Sequence, residues 1–211
     1  MSTETAAVDT VTGVLKGRAE RTPGADGCYG RDRPGRWSPT SWGGLWQEVG
    51  SIAAGLRRLG IQRGEPLAIY ARTSYRWQVA EMAGLVAGAT IVGVDPHASP
   101  DHVEHVLRHS QAVCLLVDDP SRAEPLSEEI QGRLHFAVCF GGVPAAADRA
   151  KWHTWEELLD QPPAFDDSAF PTAQPEDPAT LIYTSGTTGP PKAIQYSHRQ
   201  LVVACDAIAG A

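Results

Sequence analysis

Short apolar runs alternate with helix-patterned segments along the middle of this chain, and that alternation restricts the fold more than any other feature. Residues 66–71, 89–94, 112–117 and 134–140 each read as a strand between turn signals. Between them the apolar spacing changes to three and four. Trp42, Leu45, Trp46, Val49, Ile52, Ala53, Leu56 and Leu59 form one such stripe, with Ser41 placed as its N-cap and Gly60 as its stop. A second helix is expected over 75–88. A third starts at Ser99, Pro100 and Asp101, where proline occupies the first helical position, and runs to about His109. A polar helix is expected over 121–131, a short one over 152–159, and a weak one over 11–21 closed by Thr22 and Pro23. Strands that alternate with helices require an α/β fold, a largely parallel sheet flanked by helices. Residues 1–10 read as a flexible N-terminus, 11–211 as one domain, and 161–179 as a Pro- and Asp-rich loop. No internal repeat is visible.

Composition narrows the class. A chain of 211 residues with 42% hydrophobic and 20% charged residues has enough apolar surface for a globular core. Its net charge of −7 argues against general nucleic-acid binding. The four cysteines, Cys28, Cys114, Cys139 and Cys205, form no CxxC pair. Cys114 and Cys139 fall in apolar runs and are expected as core thiols, and a reducing cytoplasm is the simplest setting. The longest nearly apolar stretch, 82–94, is too short for a membrane-spanning helix.

The chemistry concentrates in residues 181–192, LIYTSGTTGPPK. An apolar run that reads as a buried strand opens into a loop rich in hydroxyls and glycine and ending in lysine. Gly186 and Gly189 let the backbone approach a ligand closely, and successive N–H groups in such a turn converge on an anion. Thr184, Ser185, Thr187 and Thr188 add four hydroxyl donors, and Lys192 adds a mobile positive charge. Lys192 is one of only three lysines, with Lys16 and Lys151. Pro190 and Pro191 limit helix formation at the exit. The pattern is not a Walker A loop, because Lys192 is followed by Ala193 rather than Ser or Thr. The continuation AIQYS reads as a strand, so the loop is expected at the tip of a hairpin. Ser197 then caps a helix from about His198 to Ala209.

The stretch YTSGTTGPPKAIQYSHRQL closely resembles the phosphate-loop signature of adenylate-forming enzymes: acyl-CoA synthetases, luciferases and peptide-synthetase adenylation domains. The match covers Tyr183 to Lys192 and departs at Ala193, where that family has glycine. Residues 41–119 also resemble the N-terminal half of the family's large domain, with a flavour nearest long-chain fatty acyl-CoA ligases. The resemblance implies ATP with Mg2+, coenzyme A as acyl acceptor, and a carboxylic acid, in this flavour a fatty acid. It implies that Thr184, Ser185, Gly186, Thr187, Thr188 and Gly189 wrap the β- and γ-phosphates, that Lys192 assists electrostatically, and that Thr188 approaches the metal. Long-chain relatives often meet membranes peripherally, which leaves such contact open beside a cytoplasmic setting. The family's adenine-binding segment, ribose aspartate and C-terminal lysine have no match after Lys192. An incomplete large domain with no complete catalytic set is therefore expected, with an unpaired sheet edge or an apolar face left exposed. Three readings stay open: an N-terminal piece of a ligase, one half of a split ligase completed by a second polypeptide, or a non-catalytic nucleotide- or protein-binding module.

Other candidates are weaker. His102, His105 and His109 fall on one helix face, but HxxHxxxH is a loose pattern without the HExxH order of a zinc protease, and polar surface is the expectation. Asp118, Asp119, Glu124, Glu128 and Glu129 read as a strand-end turn and a solvated helix face. Ser185 sits in TSGTT, not in the GxSxG of a nucleophile elbow.

Overall fold

The computed structural model describes residues 9–31, 36–143, 148, 151–160, 170, 172–184 and 191–209. The expectation of a flexible segment over 1–10 falls largely outside them. The chain opens with α1 (Val11–Arg21) and an antiparallel pair, β1 (Asp26–Arg31) and β2 (Trp37–Ser41). It continues through α2 (Trp42–Arg58), β3 (Pro66–Tyr70), α3 (Tyr75–Ala87), β4 (Thr90–Val94), α4 (Pro100–Ser110) and β5 (Cys114–Val117). After a 3-10 turn at Pro120–Arg122 come α5 (Glu128–Arg133), β6 (Phe136–Cys139), β7 (Trp152–Thr154) and α6 (Trp155–Leu159). Last are β8 (Pro178–Thr184), β9 (Lys192–Ser197) and α7 (His198–Ala209).

Among the described residues seven strands form the main sheet, in the order β7-β6-β5-β3-β4-β8-β9. Every neighbouring pair is parallel except β8 and β9. The sheet is buried on both faces in its middle, so β5 and β6 read as continuous apolar runs without alternation. One face packs Leu45, Val49, Ile52 and Leu56 of α2 with Val79 and Ala83 of α3 against Leu67, Ile69 and Ile91. The other packs Val103, Val106 and Leu107 of α4 with Ile130 of α5 against Ala68, Val92, Leu115 and Val117. Cys114 and Cys139 are fully buried thiols, as their apolar settings predict.

The caps expected at Ser41, Ser99 and Ser197 are present, and Ser74 adds a further one. Ser41, Ser74 and Ser99 each accept a hydrogen bond from the third residue of the helix that follows. Gly88 ends α3 in the left-handed region at φ 91°, a conformation glycine adopts without a Cβ penalty. Ser197 and Gln200 cap α7 reciprocally: the Gln200 N–H donates to Ser197 Oγ at 3.3 Å, and the Ser197 N–H donates to Gln200 Oε1 at 2.9 Å.

The structure corrects three local expectations. The polar helix over 121–131 is instead a 3-10 turn and the six-residue α5, which starts one residue after Ser127. Pro125 lies between them, and proline both lacks the N–H a helix needs and disfavours helical backbone at the residue before it. The helix over 152–159 is shorter, because residues 152–154 pair with β6 as an edge strand before the Thr154–Glu157 capping box starts α6. The polar, Gly- and Pro-rich first forty residues contain the β1–β2 pair, which apolar alternation does not mark.

Candidate functional site

β8 enters the sheet beside β4, pairing Thr180 with Ile91 and Leu181 with Val92. Two side chains tie the strands together: Thr180 Oγ1 donates to the Ile91 carbonyl at 3.1 Å, and Thr90 Oγ1 to the Pro178 carbonyl at 3.4 Å. Because β8 runs parallel to β3, β4 and β5, Thr184 emerges at the sheet edge where those strands end. That edge is where open α/β sheets bind ligands. The chain then returns antiparallel as β9, with Tyr183 opposite Ala193 and Thr184 opposite Lys192. The hairpin expected from AIQYS is therefore present, and the glycine- and hydroxyl-rich segment connects its two strands.

Alternation along β8 sorts the side chains. Leu181 and Tyr183 pack toward the α4 side of the sheet, so Ile182 and Thr184 lie on the opposite face. Residues directly opposite in an antiparallel pair share a face. Thr184 and Lys192 are thus cross-strand neighbours on one face at the base of the connection, and both residues are exposed. Ala193, where the resembling family carries glycine, sits on the α4 side opposite Tyr183 and is half-buried. Ser185, Gly186, Thr187, Thr188 and Gly189 lie outside the described residues.

The hairpin is not free of the helix layer. His109 Nδ1 lies 2.8 Å from the Tyr183 hydroxyl, and His105 Nε2 lies 3.1 Å from the Pro191 carbonyl oxygen. Burial raises the Tyr183 pKa, opposed by a hydrogen bond with Ser110. The one-face spacing of His102, His105 and His109 was legible in the sequence, but their approach to the hairpin was not. The decisive signal is the alternation of β8, which turns Tyr183 toward α4. Among the described residues no three His, Cys, Asp or Glu side chains come together as a metal site.

A charged cluster also occupies the strand-end edge. Asp118 accepts from Arg72 Nε at 2.7 Å and from Arg122 Nε. Arg122 donates to the Pro96 carbonyl at 2.8 Å and lies over the Tyr70 ring at 4.8 Å. Burial alone would raise the Asp118 pKa, but the hydrogen bonds from Arg122 and Arg72 outweigh it and bring the carboxyl down to about 2. This cluster ties the ends of β3, β4 and β5 together.

The AMP-binding enzyme family model matches residues 15–211. The chain belongs to the AMP-binding enzyme family. Among curated relatives, the long-chain-fatty-acid–CoA ligase FadD15 of Mycobacterium bovis is 32% identical over 177 residues, covering 82% of this chain and 29% of the relative. The long-chain-fatty-acid–CoA ligase of Thermus thermophilus is 32% identical over 169 residues, covering 78% of this chain and 29% of the relative. This AMP-binding chain thus spans less than a third of the length of either. Among solved structures, the anthranilate CoA ligase AuaEII in complex with anthranoyl-AMP superposes with a TM-score of 0.78 at 22% identity, covering 93% of this chain and 36% of that one. That likeness confirms the largely parallel, helix-flanked sheet as part of the adenylate-forming fold. No helix among the described residues is long and apolar enough to cross a membrane.

Proposed function

We propose that this AMP-binding chain supplies the phosphate-binding portion of the large domain, at the N-terminal end of an ATP-dependent carboxylate–coenzyme A ligase, and that the acid is a long-chain fatty acid. The observation that carries this reading is the TSGTTGPPK segment joining β8 to β9 at the strand-end edge, within a family match over 15–211. In such an enzyme a carboxylate oxygen attacks the α-phosphorus of ATP and pyrophosphate leaves. The coenzyme A thiol then takes the acyl group and releases AMP. Thr184, Ser185, Gly186, Thr187, Thr188 and Gly189 hold the β- and γ-phosphates through hydroxyls and backbone N–H groups. Lys192 offsets charge that grows on the departing pyrophosphate, the kind of stabilisation that lowers a barrier most.

The Mg2+ contact is assigned to Thr188 on the chemistry of its side chain. The Thr188 hydroxyl offers an oxygen, and magnesium favours oxygen ligands with phosphates filling much of its shell. When bound, the ion neutralises phosphate charge. After Lys192 no stretch matches the adenine-binding Thr-Glu segment, and no further lysine follows up to residue 211. The proposal therefore assigns adenine, acid and coenzyme A recognition to sequence beyond this stretch, in keeping with its 29% share of the curated relatives.

ATP–pyrophosphate exchange with a long-chain fatty acid tests the reading. The 211-residue chain alone should show none, and the native gene product, once its intact mass shows more than these residues, should show exchange. Robust exchange by the short chain alone would sink the partial-domain reading. A longer native product that stays inactive with every chain length of fatty acid would sink the long-chain ligase reading.

A further inference from the structure

Two histidines one turn apart on α4 reach the hairpin at Tyr183 of β8 and at Pro191, the residue just before β9. Tyr183 stands two residues before Ser185, and Pro191 follows Pro190 directly. His109 Nδ1 meets the Tyr183 hydroxyl at 2.8 Å, and the rings meet edge-on at 5.7 Å between centroids. His105 Nε2 meets the Pro191 carbonyl oxygen at 3.1 Å. A carbonyl only accepts, so the His105 proton must reside on Nε2 for this bond to form. The two imidazoles also stack, 5.7 Å apart and 22° from parallel. Their helix is itself well anchored: Val103, Val106 and Leu107 are buried, and Glu104 holds Arg108 at 3.0 Å and accepts from the Ser127 N–H.

We propose that His105 and His109 are positioning residues that fix the spacing and direction of the two strands from which the phosphate segment is hung. The inference rests on the phosphate-binding reading, and the ligand it serves is the polyphosphate chain of a nucleoside triphosphate. Ordering a backbone residue costs about 1–2 kcal/mol, so a connection whose ends are already held gives up less freedom when an anion binds. The histidines touch neither ligand nor reacting atoms. They act through Tyr183 and Pro191, and the cross-strand neighbour of Tyr183, Ala193, lies on the same side.

Amide hydrogen exchange on the intact 211-residue chain, read over 183–192, tests this alongside titration with inorganic tripolyphosphate and Mg2+. His105→Leu and His109→Leu should each speed exchange in that segment several-fold and weaken tripolyphosphate binding several-fold. His105→Gln, which keeps an N–H donor at similar reach, should restore both. His102→Ala, on the same helix face, should change neither. Unchanged exchange in both leucine variants, or no recovery with glutamine, would overturn the proposal. If the wild-type chain does not bind tripolyphosphate yet exchange responds as expected, the phosphate reading falls and the bracing stands. Nitrogen-15 spectra of the wild type give a readout independent of any variant's folding: the Nε2–H tautomer is expected at His105, and the Nδ1–H tautomer would overturn the bond to Pro191.

Discussion

The middle of the sheet and its β8–β9 end are built from similar residues but are finished differently. β3, β4, β5 and β6 are covered on both faces, and Leu67, Ile69, Leu115, Leu116 and Val138 are wholly buried. At the other end Ile182 and Ile194 remain 45% exposed, and Val203 and Ile208 of α7 remain 61% and 78% exposed. Ile182 and Ile194 are cross-strand partners, so they share the face away from α4. The contrast teaches where this chain keeps its stability and where it keeps its chemistry. The well-packed half is a platform. The segment proposed to hold phosphate is carried by an edge hairpin that pairs with β4 and packs beside α7, with His105 and His109 of α4 reaching it.

Matched truncations in the two regions should differ most. Leu115→Ala removes a fully buried side chain from the centre of the sheet and should cost about 2–5 kcal/mol, transfer and cavity terms together. Ile194→Ala, at the half-exposed edge, should cost well under half of that. Urea unfolding of both variants checks the ratio. Equal losses would mean that the hairpin belongs to the same cooperative core.

The next effect in size concerns the strand-end cluster. Asp118 is held down to about 2 by Arg122 and Arg72 from an ordinary value of 3.8. A carboxyl whose pKa is lower folded than unfolded stabilises the fold above its unfolded pKa, and that contribution is lost as pH falls through the folded one. The window here runs from about 4 down to about 2. Asp118→Asn should therefore cost on the order of 2 kcal/mol at neutral pH and flatten the stability profile across that window. Thermal melts at pH 7 and pH 3 check it. A mutant as stable as wild type at pH 7 would mean that the ion pairs only balance the cost of burying the charge.

Much of this was legible in the sequence, for identifiable reasons. The strands at 66–71, 89–94 and 112–117 announce themselves because both of their faces are buried, and the helix starts at Ser41 and Ser99 because capping chemistry is local. The hairpin was legible because Pro190 and Pro191 stop a helix and AIQYS follows. The β1–β2 pair escaped because it packs beside α2 and α3 without an apolar alternation of its own; Tyr29 and Trp37 are largely exposed. The bracing by His105 and His109 escaped because it joins residues 74 and 86 positions apart, and helical spacing shows only that the histidines share a face, never what that face meets.

Lys192 separates the chemistry of the hairpin from its stability. It is exposed and stands opposite Thr184 at the base of the connection. Lys192→Ala should leave the urea midpoint within error, as surface substitutions usually do, and should weaken tripolyphosphate binding by about tenfold, the loss of one charge-assisted contact worth roughly 1.5 kcal/mol. Isothermal titration at low and moderate salt checks both size and origin, since a point-charge contact weakens with ionic strength. Binding that ignores the substitution would move the anion site away from the hairpin.

The smallest expected change in stability comes from the exposed apolar side chains. Ile194→Ser and Ile208→Ser should each shift stability by no more than about 0.5 kcal/mol, because water already reaches both residues. Their effect should appear instead in solution behaviour. Exposed isoleucines on an edge strand and its following helix favour association between copies, so the double variant should sediment as a smaller species and bind less of a hydrophobic dye. If the double variant instead unfolds early, the half-exposed face is part of the fold's stability, and the division between platform and hairpin fails. If sedimentation and dye binding do not change, the face stays apolar without consequence in the isolated chain, and the contrast between the two ends reduces to packing alone.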